Sequence, residues 1–241
     1  MIVRHLSAAI VAAAALLVVA SPISAKPQAQ TTDLTGSYSV SGTNPTGTTY
    51  IGTLDISSSQ GTLSNGTAYQ LKWTINNQTS TGLGVLYSSN TFAVAFGDTN
   101  CVLNIYDLSN SQGNAITGVW SNISTQSFGS ENLTFTKSLA SDHVSAQYAV
   151  AGTNPDNTTY KGNMVLDGYG LIYNMTWTVG SATNKGVGLL LANPAGIISA
   201  DGATSSAVCN VASYQALNGN LYGTWVSVGD KVTGTELAVK N

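Results

Sequence analysis

The sequence predicts an all-β protein of two tandem small antiparallel up-and-down β-barrels, about eight strands each. Three observations predict it. The first is an internal duplication. Gly42-Thr43-Asn44-Pro45-Thr46-Gly47-Thr48-Thr49-Tyr50-Ile51-Gly52 returns 110 residues later as Gly152-Thr153-Asn154-Pro155-Asp156-Asn157-Thr158-Thr159-Tyr160-Lys161-Gly162. The second is alternation of period two, as in Tyr69, Leu71, Trp73 and Ile75 with Gln70, Lys72 and Thr74 between them. The third is spacing: runs of this kind are short, bounded by turn residues and follow one another closely. Eight such strands in about 100 residues close naturally into a barrel, which leaves no exposed edge. A sandwich is the next arrangement. A membrane barrel of sixteen strands fits poorly, because spanning strands need ~9–11 residues and an outward apolar band.

Residues 1–25 read as a secretory signal peptide. Arg4 and His5 precede an uncharged apolar run from Ala8 to Ala20, then Pro22, and a small residue, Ala25, stands before Lys26. Residues 26–34 read as a polar linker. The first repeat spans 35–137, with strands centred near Val40, Leu54, Trp73, Val85, Val94, Leu103, Val119 and Leu133. Residues 138–145 read as a linker between barrels, and the second repeat spans 146–241. The copies match along most of their length. Gly82-Leu83-Gly84 corresponds to Gly186-Val187-Gly188, Gly118-Val119-Trp120 to Gly223-Thr224-Trp225, and Gly129-Ser130-Glu131 to Gly234-Thr235-Glu236.

After signal cleavage the chain holds seven Lys and no Arg against eleven acids, a formal charge of −4. Without a basic patch, nucleic acid is not an expected partner. No transmembrane segment is expected after cleavage. The two cysteines, Cys101 and Cys209, occupy equivalent places in the repeats. Export permits a disulfide between them, which would require a pseudo-twofold axis nearby; two separate buried thiols are the alternative. A metal site on two lone cysteines is not expected, nor is any cofactor.

Three sets of residues are candidates for function. Tyr50, Trp73 and Trp120 match Tyr160, Trp177 and Trp225; their rings form either the barrel cores or the walls of a ligand cavity. Glu131 and Glu236, the only glutamates, each lie eleven residues after a tryptophan. Each serves as a structural acceptor, for the indole of Trp120 or Trp225 or for a tyrosine hydroxyl, or as an acid in a site. The Asn-Pro segments read as hairpin turns, with a binding loop at the barrel mouth as the other reading. Catalysis has little support. His143 is the one histidine past the signal region and lies in the linker, and no nucleophile elbow, zinc-helix motif or phosphate loop occurs. No pair of acids is repeated in both halves, as glycoside hydrolysis would want.

The combined pattern is Tyr-x-Gly, Tyr-x-x-x-Trp, Gly-x-Gly, a Tyr-bearing strand, Gly-x-Trp and Gly-x-Glu. It resembles a group of small secreted bacterial β-barrel repeat proteins, some of them labelled fibronectin-binding or surface proteins. The resemblance covers 35–137 and 146–240 and implies a small barrel and an extracellular setting; no functional residue comes with it. The Gly-x-Trp element is also similar to that of lipocalin- and avidin-like barrels. There it belongs to the first strand and has an arginine partner, and here it does neither. The expectation is a secreted or periplasmic, non-enzymatic binding protein for a small apolar or carbohydrate ligand or an extracellular macromolecule. The alternatives are a structural or adhesive surface protein with filled barrels, and a hydrolase.

Overall fold

Alternating sequences leave one face of each strand apolar, and that face must be covered. In this chain two closed sheets cover it. The computed structural model describes residues 33–63, 66–108, 115–191, 196–202 and 208–241. The signal peptide and most of the 26–34 linker lie outside the described residues. In the first repeat the strands are β1 (Gly36–Thr43), β2 (Thr49–Leu63), β3 (Gly66–Ile75), β4 (Gln78–Leu86), β5 (Thr91–Gly97), β6 (Cys101–Asp107), β7 (Ala115–Asn122) and β8 (Phe128–Ser138). In the second they are β9 (Val144–Thr153), β10 (Thr159–Tyr169), β11 (Ile172–Val179), β12 (Ala182–Leu191), β13 (Gly196–Gly202), β14 (Cys209–Leu217), β15 (Asn220–Ser227) and β16 (Gly234–Lys240). Each of the eight expected strand centres of the first repeat falls inside its own strand.

The strands form two closed antiparallel barrels of eight, as expected, but the repeats are not the barrels. Strands β6 to β13 run consecutively around one barrel, which closes where β13 pairs with β6. Strands β1 to β5 and β14 to β16 form the other, which closes where β5 pairs with β14 and β1 with β16. An inserted barrel thus interrupts a split barrel, and each barrel takes five strands from one repeat and three from the other. The boundaries 35–137 and 146–241 are corrected accordingly: they mark the duplication, not the domains. Residues 138–145 are no linker between barrels either. They join β8 to β9, which pair with each other in the inserted barrel. The physical reason is equivalence. A strand of one repeat offers nearly the same edges and apolar face as its counterpart, so either can complete a given barrel. Leu34, expected in the polar linker, is fully buried and accepts the Tyr38 hydroxyl on its carbonyl at 2.7 Å.

Three apolar clusters follow from this layout. One fills the split barrel, around Tyr38, Leu54, Leu71, Phe92 and Leu221. Another fills the inserted barrel, around Leu133, Met164, Leu166 and Met175. The third lies between the barrels and joins Leu83, Val85, Ala93 and Ala95 to Leu103, Ile105, Val187 and Leu189. Hence β4 and β5 lose their alternation: residues 82–86 and 91–95 are buried throughout. Strands with two covered faces read as continuous apolar runs, which is how Thr91-Phe92-Ala93-Val94-Ala95-Phe96 reads.

The chain passes between barrels twice, before Cys101 and before Cys209. Gly97 pairs with Cys209, and Gly202 pairs with Cys101. The cysteines form a disulfide at a Cα–Cα distance of 5.6 Å. Equivalent residues of two repeats touch only near the axis relating them, so the bond marks that axis and ties the two crossings together. It spans 108 residues of sequence. Replacing both cysteines with alanine is expected to cost about 2–5 kcal/mol in urea denaturation, from loop-closure entropy, with the barrels retained by circular dichroism.

Candidate functional site: a cavity in the inserted barrel

The site grows from one register row, present twice. In the split barrel Tyr50, Gly42, Glu236, Gly223 and Tyr214 stand opposite one another across β2, β1, β16, β15 and β14. In the inserted barrel Tyr160, Gly152, Glu131, Gly118 and Tyr106 do the same across β10, β9, β8, β7 and β6. The glycines are required by close approach. A Cβ on Gly42 would lie 2.3 Å from Tyr50, and one on Gly152 would lie 2.1 Å from Tyr160. On Gly223 it would lie 2.3 Å from Tyr214, and on Gly118 2.5 Å from Tyr106. Each tyrosine ring therefore lies down over a glycine, and its hydroxyl reaches the central carboxylate.

In the split barrel Glu236 accepts from Tyr50 at 2.9 Å, from Tyr214 at 2.7 Å and from the Trp73 indole at 3.0 Å. In the inserted barrel Glu131 accepts from Tyr160 at 3.0 Å and, in a short bond, from Tyr106. There the Trp177 indole donates instead to the Tyr106 hydroxyl, at 3.1 Å. The reading of the glutamates as acceptors of tyrosine hydroxyls agrees with this geometry. Their pairing with Trp120 or Trp225 does not: those two indole N–H groups are buried without a partner. Trp120 pairs with Gly129 and Trp225 with Gly234, two positions short of the glutamates, and each ring lies over that glycine.

Burial sets the electrostatics. Glu131 is 4% exposed, and loss of water raises its pKa above the ordinary 4.5, while hydrogen bonding from Tyr106, Tyr160 and Trp177 pulls it back. Burial also raises Tyr50 and Tyr214, with the nearby Glu236 charge adding to it, so both hydroxyls stay protonated donors.

The barrels differ in what fills the space beside this row. In the split barrel Phe96 packs 5.1 Å from Trp73 and 6.0 Å from Trp225, ring centre to ring centre. Phe96 stands between Gly82 and Asn210 in register, and the corresponding place between Gly186 and Val102 belongs to Asp201, which has no ring. The inserted barrel has a cavity of about 320 Å³ there. Trp120, Tyr160, Trp177 and Glu131 line it with Asn104 and Asn184. Asn154 of the second Asn-Pro turn lies at its rim and gives its amide to the Thr158 hydroxyl at 2.9 Å.

The six candidate aromatic residues thus divide. Trp120, Tyr160 and Trp177 share one cavity, whereas Trp73 and Trp225 pack on Phe96, and Tyr50 packs edge-on against Trp225 and lines a second, wider space. Sequence reading missed Asn104, Asn184 and Phe96. The signal for all three was a departure between repeats, where Ala212, Ser80 and Asp201 stand in the equivalent places. A wider cleft of about 740 Å³ crosses exposed residues of the split barrel, among them Ile51 and Tyr222, against Leu171 and Leu190, and it reaches Tyr50 and Glu236 of the row. His143 lines neither space. It bridges Asp142 at 2.7 Å and Asp167 at 2.9 Å, stacks on Tyr169, and these bonds raise its pKa.

No family model, curated protein or solved structure matches this chain.

The raised pKa of Glu131 has a signed consequence. Protonation of the folded state persists above the pH at which the unfolded carboxyl ionises. Stability from this group is therefore present at low pH and lost as pH rises from 4.5 through the folded pKa. In urea denaturation across that range, the wild type is expected to lose stability relative to Glu131→Gln. A difference independent of pH would show that the carboxyl titrates normally.

Proposed function

We propose that this protein is an exported, non-enzymatic binding protein whose inserted barrel carries the ligand site and whose split barrel is scaffold. The observation that carries this reading is the contrast between duplicated barrels: Phe96 packs against Trp73 and Trp225 in one, and a cavity of about 320 Å³ faces the equivalent rings in the other. That volume is at the small end for ligand pockets, enough for one small ring or branched molecule. The lining is also of the usual kind, with aromatic walls and a few polar groups. Glu131, fixed by two tyrosine hydroxyls, is built to hold position rather than to exchange protons with a second acid. The disulfide supports a secreted or periplasmic setting.

Ala182 lies exposed at the cavity wall. A screen of small ring compounds by ligand-observed NMR is expected to yield saturable binding at one equivalent per chain. Ala182→Trp, which lays a ring across the opening, is expected to weaken it by about tenfold or more. Binding at two equivalents, or unchanged binding by that variant, would place the site elsewhere.

A further inference from the structure

The chemistry of the cavity narrows the class of ligand, on the reading just given. Glu131 is buried, and no Lys, Arg or His stands among the described residues lining the space beside it. Its charge is met by neutral hydroxyl and indole donors. The two glutamates have matching sets of donors. Glu236, beside the filled core, takes the Trp73 indole as a third donor. Glu131, beside the cavity, has the equivalent Trp177 indole next to it, which donates to the Tyr106 hydroxyl and also favours the ionised carboxylate. What differs is the space beside them: Glu236 borders the wide cleft that crosses exposed residues, whereas Glu131 faces a cavity walled by Trp120, Trp177 and Tyr160.

Around it stand Trp120, Trp177 and Tyr160. Aromatic faces attract cations through the ring quadrupole, more strongly when water is excluded. A buried carboxylate among such rings favours positive charge twice over. The whole chain is acidic, with a formal charge of −3, which draws cations toward it and repels anions. A sugar would need several polar partners besides the unpaired Trp120 indole N–H. Asn154 already gives its amide to Thr158, and Asn104 is buried and engaged.

We propose that the inserted-barrel cavity binds a small organic cation, an alkylammonium whose charge sits beside Glu131 and whose methyl or methylene groups face Trp120, Trp177 and Tyr160.

The test compares choline with 3,3-dimethylbutan-1-ol, its uncharged isostere, by calorimetry on the wild-type protein. Choline is expected to bind about tenfold or more tightly than the isostere. Glu131→Gln, checked for fold by circular dichroism, is expected to abolish the preference, and Ala182→Trp to weaken both. The isostere comparison uses the unmodified chain, so it decides the matter even where Glu131→Gln fails to fold. Equal or tighter binding of the isostere overturns the cationic class while leaving the cavity as a ligand site. Choline binding that Ala182→Trp leaves unchanged overturns the cavity as its location. Absence of choline binding at millimolar concentration overturns the cationic class, and absence of binding by every neutral compound as well overturns the ligand site itself.

Discussion

A carboxylate buried without a cation is the constraint on which each barrel depends. Such a group is costly unless hydrogen bonds replace its water. Here tyrosines from strands on either side supply them, and they reach the carboxylate only because glycine separates each from the glutamate. The sequence Tyr-Gly-Glu-Gly-Tyr is never contiguous in the chain. It is contiguous across five strands, and closing the sheet assembles it. In the split barrel the row joins Tyr50 and Gly42 of the first repeat to Glu236, Gly223 and Tyr214 of the second. In the inserted barrel the assignment is reversed. In each barrel the row is thus shared between the repeats, and the apolar layer between barrels and the Cys101–Cys209 bond hold the exchanged arrangement at its two crossings.

Duplication also frees one copy to diverge. Both barrels keep the row, which carries the fold. Away from it, Phe96, Ala212 and Ser80 of the split barrel give way to Asp201, Asn104 and Asn184 at equivalent places. Loss of the phenylalanine ring and gain of amides convert a packed end into a lined cavity. The binding reading thus lies on the difference between the repeats, and the structural reading lies on what they share.

Much of this was legible in the sequence. Short apolar or alternating runs bounded by turn residues located all eight strands of the first repeat, because a strand's face is written locally in residues such as Leu71 and Trp73. The coincidence of Glu131 with Glu236 marked a shared role as acceptor or site acid, and the equivalent cysteines left a disulfide at an axis as one of two readings. What alternation does not encode is the partner strand. Nothing local to Asp98, Thr99 and Asn100 says that the chain leaves one barrel there, since β6 and β14 offer similar edges. The pairing of glutamate with Trp120 or Trp225 failed for a related reason. Eleven residues of separation suggested contact, but register sets Trp120 against Gly129, and the indole that reaches Glu236 belongs to Trp73, far away in sequence.

The central claim is that tyrosine, glycine and glutamate act as one unit, and a double-mutant cycle measures this directly. Gly152→Ala alone should cost about 2 kcal/mol or more in urea denaturation, because its methyl group meets the Tyr160 ring. Tyr160→Ala removes that ring along with its bond to Glu131. In the double variant the methyl group meets no ring, so the combined cost should fall short of the sum by about 1 kcal/mol or more. Additive costs would mean that the glycine serves some purpose other than seating the tyrosine, and would contradict the account.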